Sequence, residues 1–236
     1  VAALILGQIV YLITLAFFIQ RHQGFRLSSV TVVLLKKAFL GSLPYGLLAI
    51  LGLLYFRIDT IMLSYMRGNF ETGIYSIAYR CLEAVIFIPG ALATALFPVI
   101  TRLYKENSNK IKDIYFSSIK VTAIIGLFIM LGYMLILPKI IEIFLPTYLP
   151  AIPVIRILSI SIPFMFIHIP GAQILLSTDK FLKQILILSL FTLFFNIFFN
   201  LLFIPQFGLI AAAWVTVASE VLSFVVFFKL LKAKVL

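Results

Sequence analysis

Seven apolar stretches fill this chain, near residues 1–20, 40–65, 74–98, 115–137, 154–176, 182–203 and 208–229. Each approaches the roughly 20 residues that a helix needs to cross the hydrocarbon core of a bilayer. In lipid every backbone polar group must be satisfied within the chain, so stretches of this length are expected as helices. The residues between them are too few for a separate soluble domain. Composition agrees: 63% of residues are hydrophobic and only 11% charged, against about 25% charged in a soluble domain. The expected fold is an all-α polytopic membrane protein of about seven transmembrane helices.

The basic residues fall on alternate connections. Arg21, Arg26, Lys36 and Lys37 follow the first stretch, Arg102, Lys105, Lys110, Lys112 and Lys120 the third, Lys180 and Lys183 the fifth, and Lys229, Lys232 and Lys234 the seventh. The other side carries only Arg67, Lys139 and Arg156, and the connection 204–208 is uncharged. By the positive-inside rule the odd stretches run inward and the C-terminus is cytoplasmic, in a cell (cytoplasmic) membrane. This placement also explains the net charge of +11 without nucleic acid as a partner. The lone cysteine, Cys81, lies in an apolar stretch, so neither an internal disulfide nor a cysteine-based metal site is expected. The chain opens at Val1 already inside an apolar run without the features of a signal peptide, which points to a piece of a longer protein.

The outer connections are short, and the longest, 138–153, is apolar with four prolines. Function is therefore expected within the membrane. Segment 20–37 places Phe25, Leu27, Val30 and Val33 among serines and basic residues, as an interfacial helix or a plain surface connector would. Prolines and glycines fall inside several stretches: Pro44 and Gly46, Pro89, Gly90 and Pro98, Pro163, Pro170 and Gly171. Such residues remove backbone donors, and kinks or breaks are expected there.

Charges inside the stretches narrow the chemistry further. Arg57 and Asp59 precede the outer end of the second stretch by some two turns, and Arg80 and Glu83 follow the outer start of the third by a similar distance. All four are expected at one depth, with pairing across the two helices, for example Asp59 with Arg80. An unpaired charge near the bilayer centre costs about 2.5–3.5 kcal/mol on insertion scales, so these side chains should face protein or water. Two readings fit: a cationic patch in a watery cavity, with guanidiniums matched to phosphate oxygens, or an ion-pair knot joining two helices. Glu220, near the middle of the seventh stretch, fits a proton or cation coupling site or an interhelical contact. Asn196 and Asn200, spaced i, i+4, suit interhelical hydrogen bonding. His168, between two prolines, is read as a buried histidine or a proton relay. No HExxH, GxSxG, Walker A or aspartate cluster is present, so no enzyme, metal site or cofactor is expected.

The run Asn196, Asn200, Ile204-Pro205-Gln206-Phe207-Gly208, Ala211 to Ala213, Thr216 and Glu220 resembles the closing helices of the polysaccharide-lipid flippases, the Wzx-type branch of the MATE-like MOP superfamily. Ser42, Pro44, Arg57 to Leu63, Gly73 to Ser76 and Pro98 agree with that pattern, and Ala211 stands where the family often has glycine. The resemblance implies a longer transporter of two helical bundles. Residues 1–20 would close the first bundle, 21–37 would be a basic cytoplasmic linker, and 38–236 would form the second, six-helix bundle, with the missing N-terminal half as its partner. It implies alternating-access flipping of an undecaprenyl-pyrophosphate-linked oligosaccharide for cell-surface polysaccharide biosynthesis. Arg57, Arg80 and, near the outer mouth, Arg156 would meet the head group. Asp59, Glu83 and Glu220 would form cavity ion pairs or couple H+ or Na+. Rival readings are a lipid II flippase, a cation or drug exporter, a membrane-embedded transferase relying on His168, and a non-transporting scaffold.

Overall fold

The computed structural model describes residues 2–23, 31–106, 108–176 and 179–234. Among them the chain is helical throughout its ordered elements, without strands: α1 (Ala2–Gln23), α2 (Val32–Arg67), α3 (Asn69–Glu106), α4 (Ser108–Leu135), α5 (Leu137–Phe144), α6 (Ile152–Ser159), α7 (Ile162–Leu176) and α8 (Leu182–Lys234), with short 3-10 turns at Pro146–Ala151 and Asp179–Phe181. The all-α, polytopic membrane architecture expected from the apolar stretches is the one observed.

The tally of spans differs from the seven stretches. Val32–Arg67, Asn69–Val99, Lys112–Phe144 and Leu182–Ala233 are long and apolar enough to cross a membrane. Pro146–Ser159 and Ile162–Gln173, bent by 48° at their junction, make a fifth crossing if counted as one. The difference has two sources. Ile5–Arg21 is a shorter apolar helix, and α8 contains two of the seven stretches. Its 53 residues would measure about 80 Å if straight, yet Asn196 donates to Ser219 Oγ at 3.4 Å, 23 residues away. The chain doubles back at Gly208, whose φ of 58° and ψ of −138° are not helical. Residues 182–207 form a first limb and 209–234 a second, antiparallel to it.

Four of these prolines lie inside continuous helices. α2 runs through Pro44, α3 through Pro89 and Pro98, and α7 through Pro170. Membrane helices tolerate proline because neighbouring groups can satisfy the freed carbonyl. The breaks that do occur lie at residues 160–161, between α6 and α7, and at Gly208. Part of the linker, residues 24–30 with Arg26, lies outside the described residues, while α2 already begins at Val32.

Two compact units divide at Gly46, within α2. The first comprises α1, whose described side chains are exposed, and the start of α2. In the second, α7 sits centrally against α3, α4 and α8. Gly126 permits the closest approach: a Cβ there would stand 3.1 Å from Phe166 and 3.2 Å from the Pro163 backbone. The core includes Leu63, Tyr75, Leu82, Leu158 and Phe166. The surface is inverted relative to a soluble protein. Phe70, Phe87 and Phe194 are exposed, while Asp59, Asn196, Asn200, Thr216, Ser219 and Glu220 are buried.

The turn between α2 and α3 and the Gly208 bend meet at one end of this unit. Glu71 Oε1 accepts from Arg67 Nε at 2.9 Å and its Oε2 from the Leu209 amide at 3.0 Å. The carboxylate thus takes up a first-turn amide of the second limb, one of those that no helical carbonyl can reach. A side chain on Gly208 would collide with this carboxylate.

Candidate functional site

From that anchored end, four helical segments run down in step. Asp59 lies eight residues before Arg67, Thr216 eight after Gly208 and Asn200 eight before it, which puts all three about 12 Å below the turns. One turn deeper stand Tyr55, Asn196 and Glu220. Three i, i+4 pairs on three segments therefore share a face and a level: Tyr55 with Asp59, Asn196 with Asn200, and Thr216 with Glu220.

At the upper level Asp59 is buried in a cage of neutral donors. Its Oδ1 accepts from Asn200 Nδ2 at 2.7 Å. Its Oδ2 accepts from Thr216 Oγ1 at 2.6 Å and from Tyr75 Oη at 2.9 Å. Asn200 Nδ2 also reaches Asn196 Oδ1 at 2.9 Å. Asn200 Oδ1 is buried without a hydrogen-bond partner. Every polar atom aimed at the carboxylate is neutral. The expected partner, Arg80, is not there: it is exposed on α3, and no ion pair reaches it among the described residues. The reason lies in the register of α3. Tyr75, Ala78, Tyr79 and Leu82 form its buried face, and Arg80, one residue beyond Tyr79, is turned about 100° away.

At the lower level Tyr55 Oη donates to Glu220 Oε1 at 2.8 Å. Glu220 Oε2 has no hydrogen-bond partner, and His168 Nδ1 stands 3.6 Å from it. The imidazole is held by stacking on Phe227, with ring centroids 5.8 Å apart, and Nδ1 lies 3.2 Å from the Phe164 carbonyl oxygen. Tyr55, His168 and Glu220 line a partly open cavity of about 330 Å3 shared with Ser189, Thr192 and Ser223.

The expected exchange of charge between α2 and α3 occurs through other partners. Arg57 Nη2 meets Glu83 Oε1 at 3.1 Å, with the arginine side chain 58% and the glutamate 28% exposed. The pair edges a groove of about 640 Å3 whose walls are Phe56, Ile86, Phe87, Gly90 and Ala91. Arg156, on α6, is exposed. Sequence reasoning therefore named the two buried acids, Arg57 and Glu83 without pairing the last two, and the interhelical bonding of Asn196 and Asn200, but missed Tyr55, Tyr75 and Ser219 and gave Thr216 no role. The repeated i, i+4 spacing of polar residues was the signal available for Tyr55 and Thr216. Tyr75 and Ser219 carried none, because only packing brings them in. No group of three or more His, Cys, Asp or Glu able to hold a metal ion occurs among the described residues.

Buried carboxylates inside an apolar, multi-pass helical unit fit a polytopic membrane protein whose polar groups are turned away from lipid. The chain belongs to the MatE family of the MOP superfamily, a family of membrane transporters, whose family model matches residues 44–202. The chain is also similar to the uncharacterized membrane protein MJ1068 of Methanocaldococcus jannaschii, with 29% identity over 202 residues, covering 79% of this chain. That match spans 38% of the relative's own length. No solved structure matches the chain.

Proposed function

We propose that this chain is the C-terminal portion of a cation-coupled flippase that carries a polyprenyl-pyrophosphate-linked oligosaccharide across the cytoplasmic membrane by alternating access. In this reading residues 1–20 close a first bundle, 21–37 link the two, 38–236 form the second bundle, and the C-terminus is cytoplasmic. The observation that carries the substrate class is the groove beside Arg57. An accessible guanidinium stands at the edge of a channel walled by Phe56, Ile86 and Phe87. That combination suits an amphiphile with an anionic head and an isoprenoid tail, because a guanidinium offers a planar fork to phosphate oxygens. Glu83 holds Arg57 when no head group is present and competes with it for release. Arg80 and Arg156 supply further exposed cations for the head group.

Asp59 is the coupling site in this reading. Asn200 turns its amide nitrogen to Asp59 Oδ1 and Asn196 Oδ1 and leaves its own Oδ1 unpartnered; rotation of that amide would bring an oxygen toward those of Asp59 and Asn196, a set that suits a hard cation such as Na+. A proton on Asp59 is the alternative occupant. Tyr75 and Thr216 act as donors that hold the carboxylate when it is ionised. Because this carboxylate ties α2 to α3 and both limbs of α8, its occupancy biases the packing of the helices that must move.

The test is genetic. In the source organism, deleting the gene that encodes the full-length protein is expected to leave lipid-linked oligosaccharide on the cytoplasmic leaflet. Wild type should restore export, and Arg57→Ala and Asp59→Asn should not. Unchanged export after deletion, with no second transporter active, would overturn the flippase reading. Loss of organic-cation efflux instead would move the assignment to drug export.

A further inference from the structure

Glu220 poses a question that the Asp59 cage does not answer. One carboxylate oxygen is satisfied by Tyr55, and the other is buried without a hydrogen-bond partner inside a membrane segment. Leaving an ionised oxygen in that condition is costly. The neighbour nearest to correcting it is the His168 imidazole, 3.6 Å away on a different helix. The ring cannot easily turn elsewhere, since it stacks on Phe227 and its Nδ1 lies beside the Phe164 carbonyl.

We infer that Glu220 and His168 form an exchangeable proton site, opening on the cavity between α2, α7 and the two limbs of α8 and separate from the Asp59 cage. The donor set distinguishes the two. Around Asp59 all the converging polar side chains offer oxygens or amides, whereas Glu220 Oε2 faces an imidazole nitrogen, a poor ligand for an alkali cation and a good partner for a proton. The groups facing Glu220 from each packed element are few. α2 presents Tyr55, with Asp59 one turn beyond and turned to its own donors. α3 brings Tyr79 near, and α7 brings His168 and, along the cavity wall, Gln173. The first limb offers Ser189 and Thr192, and the second adds Ser223. No lysine or arginine lines the cavity.

Proton movement balances without any other reactant. With Glu220 ionised, Nδ1 carries hydrogen and Nε2 holds a lone pair. A hydronium ion in the cavity gives its proton to Nε2, Nδ1 passes its hydrogen to Glu220 Oε2, and the neutral Nε2–H tautomer remains, with Nδ1 accepting from the new carboxyl O–H. The reverse sequence releases the proton. Closing the 3.6 Å gap to hydrogen-bond distance requires a shift below 1 Å in either helix, so the site is sensitive to how α7 and the second limb pack. The inference stands whether or not Asp59 binds a cation.

Infrared difference spectroscopy of the full-length protein in lipid tests it, with pH stepped across about 5 to 8, where the imidazole can relay a proton to the carboxylate. The expected result is a protonated-carboxyl C=O band that grows as pH falls, is lost in Glu220→Gln and persists in Asp59→Asn. In His168→Gln its midpoint should move by about one pH unit or more, the scale of an interaction between close ionisable groups. A band unaffected by Glu220→Gln, an unchanged midpoint in His168→Gln, or a response to Na+ at constant pH in place of a response to pH would overturn the proposal. Should the variants fail to fold, dicyclohexylcarbodiimide labelling of the wild type decides. The expected outcome is covalent modification of Glu220, read by mass spectrometry, that declines as pH rises. Absence of Glu220 labelling at every pH would count against the site.

Discussion

The Asp59 cage and the Arg57 groove hold charge at similar depth in opposite ways. Asp59 is 2% exposed and surrounded by neutral donors from α3 and the two limbs of α8. Arg57 is more than half exposed and leans on a single partly exposed carboxylate. In the cage, the donors fix one geometry and make removal of the acid expensive. In the groove, the guanidinium remains available to a ligand at little cost to the fold. The difference teaches that burial in this unit goes with a carboxylate satisfied by several hydrogen bonds, while the charge left accessible keeps a single replaceable partner; the proposed roles of cation site and head-group site rest on that contrast.

The largest effect should follow from emptying the cage. Asp59→Val strands the Asn200, Thr216 and Tyr75 donors, and a loss of about 3 kcal/mol or more is expected from unsatisfied buried polar groups. Thermal unfolding of the full-length protein in detergent checks it, and an unchanged midpoint would dissolve the contrast between the two regions. Next, Gly208→Ala should cost about 2–3 kcal/mol, because an L side chain must adopt a backbone conformation close to the glycine-only region and would also strike Glu71. The same unfolding assay reads it, and Glu71→Ala should relieve the collision but not the backbone strain. Tyr75→Phe removes one of three donors to Asp59 and should cost about 1–2 kcal/mol. The smallest stability effect belongs to the groove: Arg57→Ala should change unfolding by no more than about 0.5–1 kcal/mol, as for an exposed ion pair, yet weaken binding of a polyprenyl pyrophosphate about tenfold, measured by titration calorimetry. A large stability loss there would make Arg57 a structural knot, which is the rival reading.

Much of this was legible in the sequence, and the failures have physical causes. The apolar stretches declared the helical membrane architecture because bilayer thickness fixes their length. The connection at 204–208 marked the fold-back of α8, where Gly208 leaves the helical conformation while Pro205 stays within the first limb. Elsewhere proline did not end the helix: Pro44, Pro89 and Pro98 sit inside continuous helices. Burial of Asp59 and Glu220 followed from the cost of exposing them to lipid. Their partners did not follow, because Tyr75 and Thr216 reach Asp59 across 16 and 157 residues of sequence, and helical periodicity describes one helix at a time. Pairing Asp59 with Arg80 failed for the same reason. Charge complementarity was weighed without the rotation of α3 that points Arg80 outward.

Reconstitution decides between the two roles most directly. The full-length protein, placed in vesicles with a fluorescent polyprenyl-pyrophosphate-linked oligosaccharide in the inner leaflet, should move it outward faster when an inward Na+ gradient is imposed. In Asp59→Asn that gradient should have no effect while polyprenyl-pyrophosphate binding persists, and in Arg57→Ala binding should weaken while the gradient still acts. Gradient-driven transport by Asp59→Asn at the wild-type rate, or no transport of this lipid by the wild type, would contradict the division of labour between cage and groove.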